Sequence, residues 1–200
     1  MITLTEFTAE RSRRVARGLL GSVVRLGPVA VRLTEVEAYE GTDDPASHAF
    51  RGPTPRNQVM FGPSGRLYVY FSYGMHHAVN IVCGPDGTAS AVLLRAGEVV
   101  AGVDEAIARR GTDDLPRLAR GPGNLAKALG LVLADSGRWP DEDPELAWTP
   151  AVKPGAVRSG PRVGVSRAAD VRWRWWLAND PTVSAYKRSP RAPEVPPRAS

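Results

Sequence analysis

Apolar and polar positions divide the chain into one helix, a run of strands and a helical middle. In "TAERSRRVARGLL" (8–20) Val15, Leu19 and Leu20 fall at helical spacing behind a possible cap at Thr8, and Gly21 stops the run. "SVVRL" (22–26), "VAVRLTEVEAY" (29–39) and "RLYVYF" (66–71) are rich in Val and Tyr, alternate in part and are bounded by Gly-Pro turns, so they read as strands. "AVNIVCG" and "SAVLLRAGEVV" continue the sheet. After Val100 the pattern turns helical in "GVDEAIARRG" and "GPGNLAKALGL", where Gly123 or Asn124 could cap the second helix and leave amides facing a phosphate; ordinary packing helices account for the same pattern. "DSGRWPDEDPELAW" reads as a solvated acidic excursion, and "RVGVS" and "VRWRWWLAND" as closing strands. Trp173, Trp175 and Trp176 are expected in the core.

The breaks in this pattern matter as much as the elements. Residues 40–65 form a polar connection with four prolines that carries His48, Arg56 and Asn57, and connections of that length in compact domains usually serve function or are disordered. The stretch from Lys187 to the end is Pro-rich and is expected to be a basic, disordered tail (187–200) behind one domain (1–186). Repeats and a glycine-rich phosphate loop are absent from the sequence.

Two hundred residues with 42% hydrophobic content suit a single domain with a core. A net charge of +5 favours an anionic partner such as nucleic acid. The single cysteine, Cys83, rules out an intramolecular disulfide and a multi-cysteine zinc site, which suits a reducing cytoplasm. With no apolar segment of signal or membrane-spanning type, a soluble protein is expected.

Three groups could carry chemistry. His48, His76 and His77 could ligate a metal, but neighbouring residues of a strand point to opposite faces, so packed or hydrogen-bonding histidines are preferred. Glu35, Glu37 and Tyr39 alternate and share one side of a strand, which places the carboxylates either at a wet sheet face or in a site where one could act as general base beside an aromatic ring. Tyr68 and Tyr70 share a face, while Tyr73 precedes Gly74 at a turn, where an exposed ring can stack on bases.

"VEAYEG", a histidine nine residues after Tyr39, "TPRN", "LYVYFSYGM" followed by Asn80, "VLLRA", "GPGNLAKALG" and "RVGVS" occur in an order that resembles the alkyladenine (3-methyladenine, methylpurine) DNA glycosylases, from about Ala16 to Ser184. The resemblance implies a single mixed α/β domain around a curved, largely antiparallel sheet with helices on one side. It also implies a monofunctional enzyme that flips alkylated or deaminated purines (3-methyladenine, 7-methylguanine, hypoxanthine, ethenoadenine) out of double-stranded DNA and hydrolyses the glycosidic bond with an activated water, without metal, cofactor or covalent lysine. Carried over, Glu37 is the general base, with Arg95 and the Val163 main chain helping to hold the water. Tyr39 and Tyr70 sandwich the purine, His48 meets its edge, Tyr73 is the wedge and Asn80 guards against guanine's amine. His76 and His77 are left with backbone or minor-groove contact. Damaged duplex DNA is the expected partner of a monomer without membrane attachment. The rivals are a nucleic-acid-binding module without chemistry and a histidine-based metal-dependent hydrolase.

Overall fold

A computed structural model describes residues 3–72, 74–152 and 155–194. Nine strands form one open, antiparallel sheet: β1 (Val23–Leu26), β2 (Val29–Glu40), β3 (Leu67–Ser72), β4 (His76–Cys83), β5 (Ser90–Ala101), β6 (Ala119–Arg120), β7 (Leu146–Thr149), β8 (Val157–Gly160) and β9 (Arg174–Leu177). The main order is β3-β4-β5-β2-β1-β7, with β6 on β5 and β9 between β2 and β8. Among the described residues four α-helices accompany it: α1 (Leu4–Thr8), α2 (Ser12–Leu19), α3 (Val103–Arg110) and α4 (Pro122–Leu129). The expected mixed single domain with an antiparallel sheet is therefore what forms. Among the described residues no helix is long and apolar enough to cross a membrane.

The central strand β2 explains how one sheet has a dry face and a chemical face. Along one edge it pairs with β5 throughout; along the other it pairs first with β1 and then, from Glu35 to Glu37, with β9. Its register against β5 slips around Thr34 and again opposite Arg95, because Leu33 faces Gly97, Glu35 faces Ala96 and Val36 faces Leu94. A one-residue slip reverses which face a side chain takes. Val29, Val31 and Leu33 thus lie in the main core at odd positions, and after the bulge Val36 and Ala38 continue it at even ones. The odd positions Glu35, Glu37 and Tyr39 are delivered to the opposite face.

The main core packs those β2 residues with Leu67 and Val69 of β3, Val79 and Ile81 of β4, Val92 and Leu94 of β5 and the apolar sides of α2 and α4. On the other face a smaller cluster of Met60, Tyr68, Val82, Ala89 and Ala91, closed by Ala49, anchors the 40–65 connection. That connection starts at Gly41, whose φ of +61° and whose close approach to the Thr88 carbonyl (2.5 Å from an added Cβ) leave no place for a side chain.

Several expectations are corrected. Thr8 does not cap the first helix: it is the buried last residue of α1, and its hydroxyl donates to the Leu4 carbonyl at 2.8 Å, while α2 begins after Arg11. The helix "GPGNLAKALGL" starts behind Gly121 without a side-chain cap; the Asn124 amide instead donates to the Arg120 carbonyl at 2.7 Å. The acidic excursion is exposed at Asp141, Glu142 and Glu145, as expected, but it is also tied into the fold. Its Leu146–Thr149 segment is β7, Asp141 accepts the Leu4 amide at 3.0 Å, and Arg138 pairs with Asp135 at 2.8 Å. "RVGVS" is a loop rather than a strand, and β8 lies just before it. The three tryptophans are half-buried, with Trp176 covering Arg174 at 4.4 Å. The expected tail is described only as far as Glu194, where the Lys187 carbonyl accepts the Gly164 amide at 2.9 Å and Arg188 pairs with Asp170 at 2.7 Å; its last six residues lie outside the described ones.

Candidate active site

On the polar face of the sheet lies a cleft of about 1130 Å³, lined by Glu37 and Tyr39 of β2, Tyr68 and Tyr70 of β3, Asn80 of β4, Leu93 and Arg95 of β5, His48 of the 40–65 connection, the start of α4 and the 163–167 loop. Seven of the eight carried-over site residues thus share one cavity. The eighth, Tyr73, lies outside the described residues.

Glu37 is wholly buried yet lines the cleft. One carboxylate oxygen accepts the Val163 amide at 2.8 Å and lies 3.5 Å from Arg95 Nε; the other accepts the Tyr39 hydroxyl at 2.9 Å. Burial, and then the Glu37 carboxylate, push the Tyr39 phenol well above its ordinary value, so it stays a donor. Burial works against the Arg95 charge, but Glu37 and Glu35 outweigh it and hold the guanidinium above its usual value. The Val163 N–H is therefore engaged with the carboxylate itself, which leaves the residue's carbonyl as its main-chain group for a water.

Glu35, two residues earlier on the same face, is also wholly buried but differently satisfied. It accepts from Arg95 Nε at 2.8 Å, from Arg174 at 3.0 Å, and from the Ser184 amide and hydroxyl at 2.7 and 3.0 Å. Arg95 thus bridges the two carboxylates.

The opposite wall is aromatic. Tyr68 and Tyr70 stack with centroids 5.6 Å apart, and His48 stands edge-on to Tyr70 at 4.5 Å. The His48 Nδ1 lies 3.3 Å from the Tyr68 hydroxyl. Burial, and then the nearby Arg56 cation, hold His48 below its ordinary value, so the ring is neutral at pH 7. Asn80, buried beside them, donates to the Tyr68 carbonyl at 3.2 Å. The two loop residues singled out with His48 have structural contacts: Asn57 accepts the Thr54 amide at 2.6 Å and donates to the His48 carbonyl at 3.0 Å, and Arg56 donates to the Phe71 carbonyl at 3.0 Å.

His76 and His77 line the same cleft as His48 but have their own packing partners: His76 lies against α4, where a Cβ on Gly123 would come within 3.0 Å of its side chain, and His77 meets Phe71 at 5.2 Å. Among the described residues no three His, Cys, Asp or Glu side chains are grouped as a metal would require.

Sequence reasoning passed over two residues beside the site. Arg162 and Asp44 form a fully buried ion pair behind Tyr39, with contacts at 2.5 and 2.9 Å. Asp44 lies in the polar 40–65 connection and Arg162 opens "RVGVS", which reads as a strand; the signal available was a charge at the head of a segment otherwise made of valine, glycine and serine.

The family model for methylpurine-DNA glycosylase (MPG) matches residues 6–181. A protein of Cutibacterium acnes named "Putative 3-methyladenine DNA glycosylase" is 58% identical over 177 residues, covering 85% of this chain and 93% of its own. Proteins of the same name from Nocardia farcinica and Frankia casuarinae are 56% and 52% identical, with 89% and 90% of this chain covered and 88% and 90% of theirs. A match of this extent settles the family: the chain belongs to the methylpurine-DNA glycosylase family.

Proposed function

We propose that this protein is a DNA glycosylase that removes alkylated or deaminated purines flipped out of the duplex, with Glu37 as general base. The observation that carries this reading is a buried carboxylate fixed by the Val163 amide, the Tyr39 hydroxyl and Arg95 at the foot of a cleft walled by rings. In the reaction, the bond between C1′ and the purine nitrogen breaks and its electron pair leaves with the base. A water oxygen bonds to C1′ and gives its proton to Glu37. Arg95 and the Val163 carbonyl orient that water, and the carboxylate also stabilises the cationic sugar of the transition state.

Tyr39 and Tyr70 offer the flat surfaces between which a purine stacks, neutral His48 meets its edge, and Asn80 crowds guanine's exocyclic amine. Tyr73 is assigned the place vacated in the base stack. Cationic alkylpurines leave readily; hypoxanthine needs a proton on a ring nitrogen first. Damaged bases pair and stack less well, so flipping costs them less of the roughly few kcal/mol it requires. No lysine lines the described cleft, which favours simple hydrolysis over a lyase step through an imine.

The test is incubation with duplexes that each carry one modified purine, scored for released base, for abasic sites and for strand cleavage, with and without chelator. Abasic sites without cleavage, unaffected by chelator, are expected. Loss of activity on chelation, restored by zinc, would return the histidine-metal alternative, and strand cleavage through an imine would overturn the monofunctional assignment.

A further inference from the structure

Arg162 is fully buried, and so is its partner Asp44. One guanidinium nitrogen donates to Asp44 at 2.5 Å and to the Ala38 carbonyl at 3.0 Å; the other donates to Asp44 at 2.9 Å. The plane lies between two rings, 4.6 Å from the Tyr39 centroid and 5.2 Å from that of Trp173. Its Nε finds no partner among the described residues.

We infer that Arg162 is a positioning residue for the Glu37 base: it clamps the 161–167 loop, the Tyr39 ring and the Asp44 turn together so that the Val163 N–H and the Tyr39 O–H both rest on the carboxylate. The inference rests on the glycosylase reading. Three observations carry it. Arg162 immediately precedes Val163, so fixing the guanidinium against Ala38 fixes the amide that meets Glu37 at 2.8 Å. Ala38 lies between Glu37 and Tyr39 on β2, so the same side chain also locks the strand that carries both. The guanidinium covers one face of the Tyr39 ring, which sets the plane on which a purine would lie.

A clamp also explains why an ion pair is kept here at all. Buried pairs can often be replaced by apolar residues without loss of stability, so their value lies in geometry. Glu37 is faced by Arg95 from β5, by Tyr39 and Glu35 from β2 and by Arg162 from the loop, with Arg174 of β9 engaged through Glu35. Loosening the clamp would draw the Val163 N–H and the Tyr39 O–H off the carboxylate, so Glu37 would no longer be held in line with the water it serves.

Two variants test this: Arg162→Lys, and the charge-neutral pair Arg162→Gln with Asp44→Asn. Single-turnover excision of ethenoadenine from a duplex, with enzyme saturating, is followed at neutral pH alongside thermal melting. A loss of about tenfold to a hundredfold is expected. Little further loss is expected when either change is added to Glu37→Gln. If the neutral pair does not fold, Arg162→Lys gives the same readout. Excision at the wild-type rate with only a lower melting temperature, or an undiminished loss in the Glu37→Gln background, would make Arg162 a packing residue and overturn the inference. A wild type that leaves the lesion in place, or excises it without need of Glu37, sinks the underlying reading instead.

Discussion

Glu35 and Glu37 are two residues apart on one strand, face the same side, are both wholly buried and both touch Arg95. They differ in what closes over them. Beyond β9, the segment ending at Ser184 folds over Glu35, which is left with four donors and no place on the cleft wall, whereas Glu37 has its partners at its sides and the cleft in front. If Glu37 is the base, as proposed, burial and a cationic neighbour do not by themselves mark a catalytic carboxylate; an unobstructed approach does, and Glu35 serves Glu37 by holding Arg95 in place.

The largest effect that would break this comparison belongs to Glu37. Glu37→Gln should lower the excision rate by about a hundredfold to ten-thousandfold, while the amide oxygen can still accept from Val163 or Tyr39, so the melting temperature should stay near wild type. Equal losses of rate and stability would erase the distinction. Glu35→Ala should do the opposite. It strands Arg95 and Arg174 in the sheet, and breaking a buried pair costs about 3 to 5 kcal/mol of unfolding free energy, read from urea denaturation. A near-neutral result would mean that Glu35 is no anchor.

Smaller effects concern the cleft wall around Glu37. Asn80→Ser should raise excision of guanine lesions relative to adenine lesions by about tenfold, seen in competition between two labelled duplexes; an unchanged ratio would make Asn80 merely a partner of Tyr68. His48 supplies the smallest effect. Because its folded value is depressed, the unfolded chain takes up the proton first as pH falls, so stability present above the ordinary value of about 6.5 is lost as pH drops through it toward the folded value. The drop in melting temperature between pH 7.5 and 5.5 should be smaller for His48→Gln than for wild type, and only modestly so, since the residue keeps exposed surface. Equal drops would show that His48 is not the titrating group.

Much of the sheet was legible because β1 to β5 carry their apolar residues at strand spacing, and Glu35, Glu37 and Tyr39 were rightly placed together because the alternation holds locally on the far side of the Thr34 bulge. The bulge itself left no such mark: Val29, Val31 and Leu33 share the odd positions with Glu35 and Glu37, and only the slipped register separates them. The contacts of the acidic excursion left no mark for a related reason. Asp141 is as exposed as its sequence suggests, yet it, Asp135 and Asp143 accept from Arg138 and from the first amides of α1, partners 3 to 137 positions away. Arg162 was missed because its partners, Ala38, Asp44 and Tyr39, lie more than a hundred residues earlier. The chemistry of the cleft came from ordered motif blocks rather than from periodicity, since residues that converge from six separate segments leave no local pattern.

The most direct test places Glu37→Gln, in excess, on a duplex with one ethenoadenine and follows two signals from the same sample. Lesion fluorescence reports unstacking of the base, and alkaline cleavage reports abasic sites. Retained unstacking with excision reduced by at least about a hundredfold is predicted for a general base at this position. Excision at the wild-type rate would contradict the assignment of Glu37 and with it the division of labour between the two carboxylates.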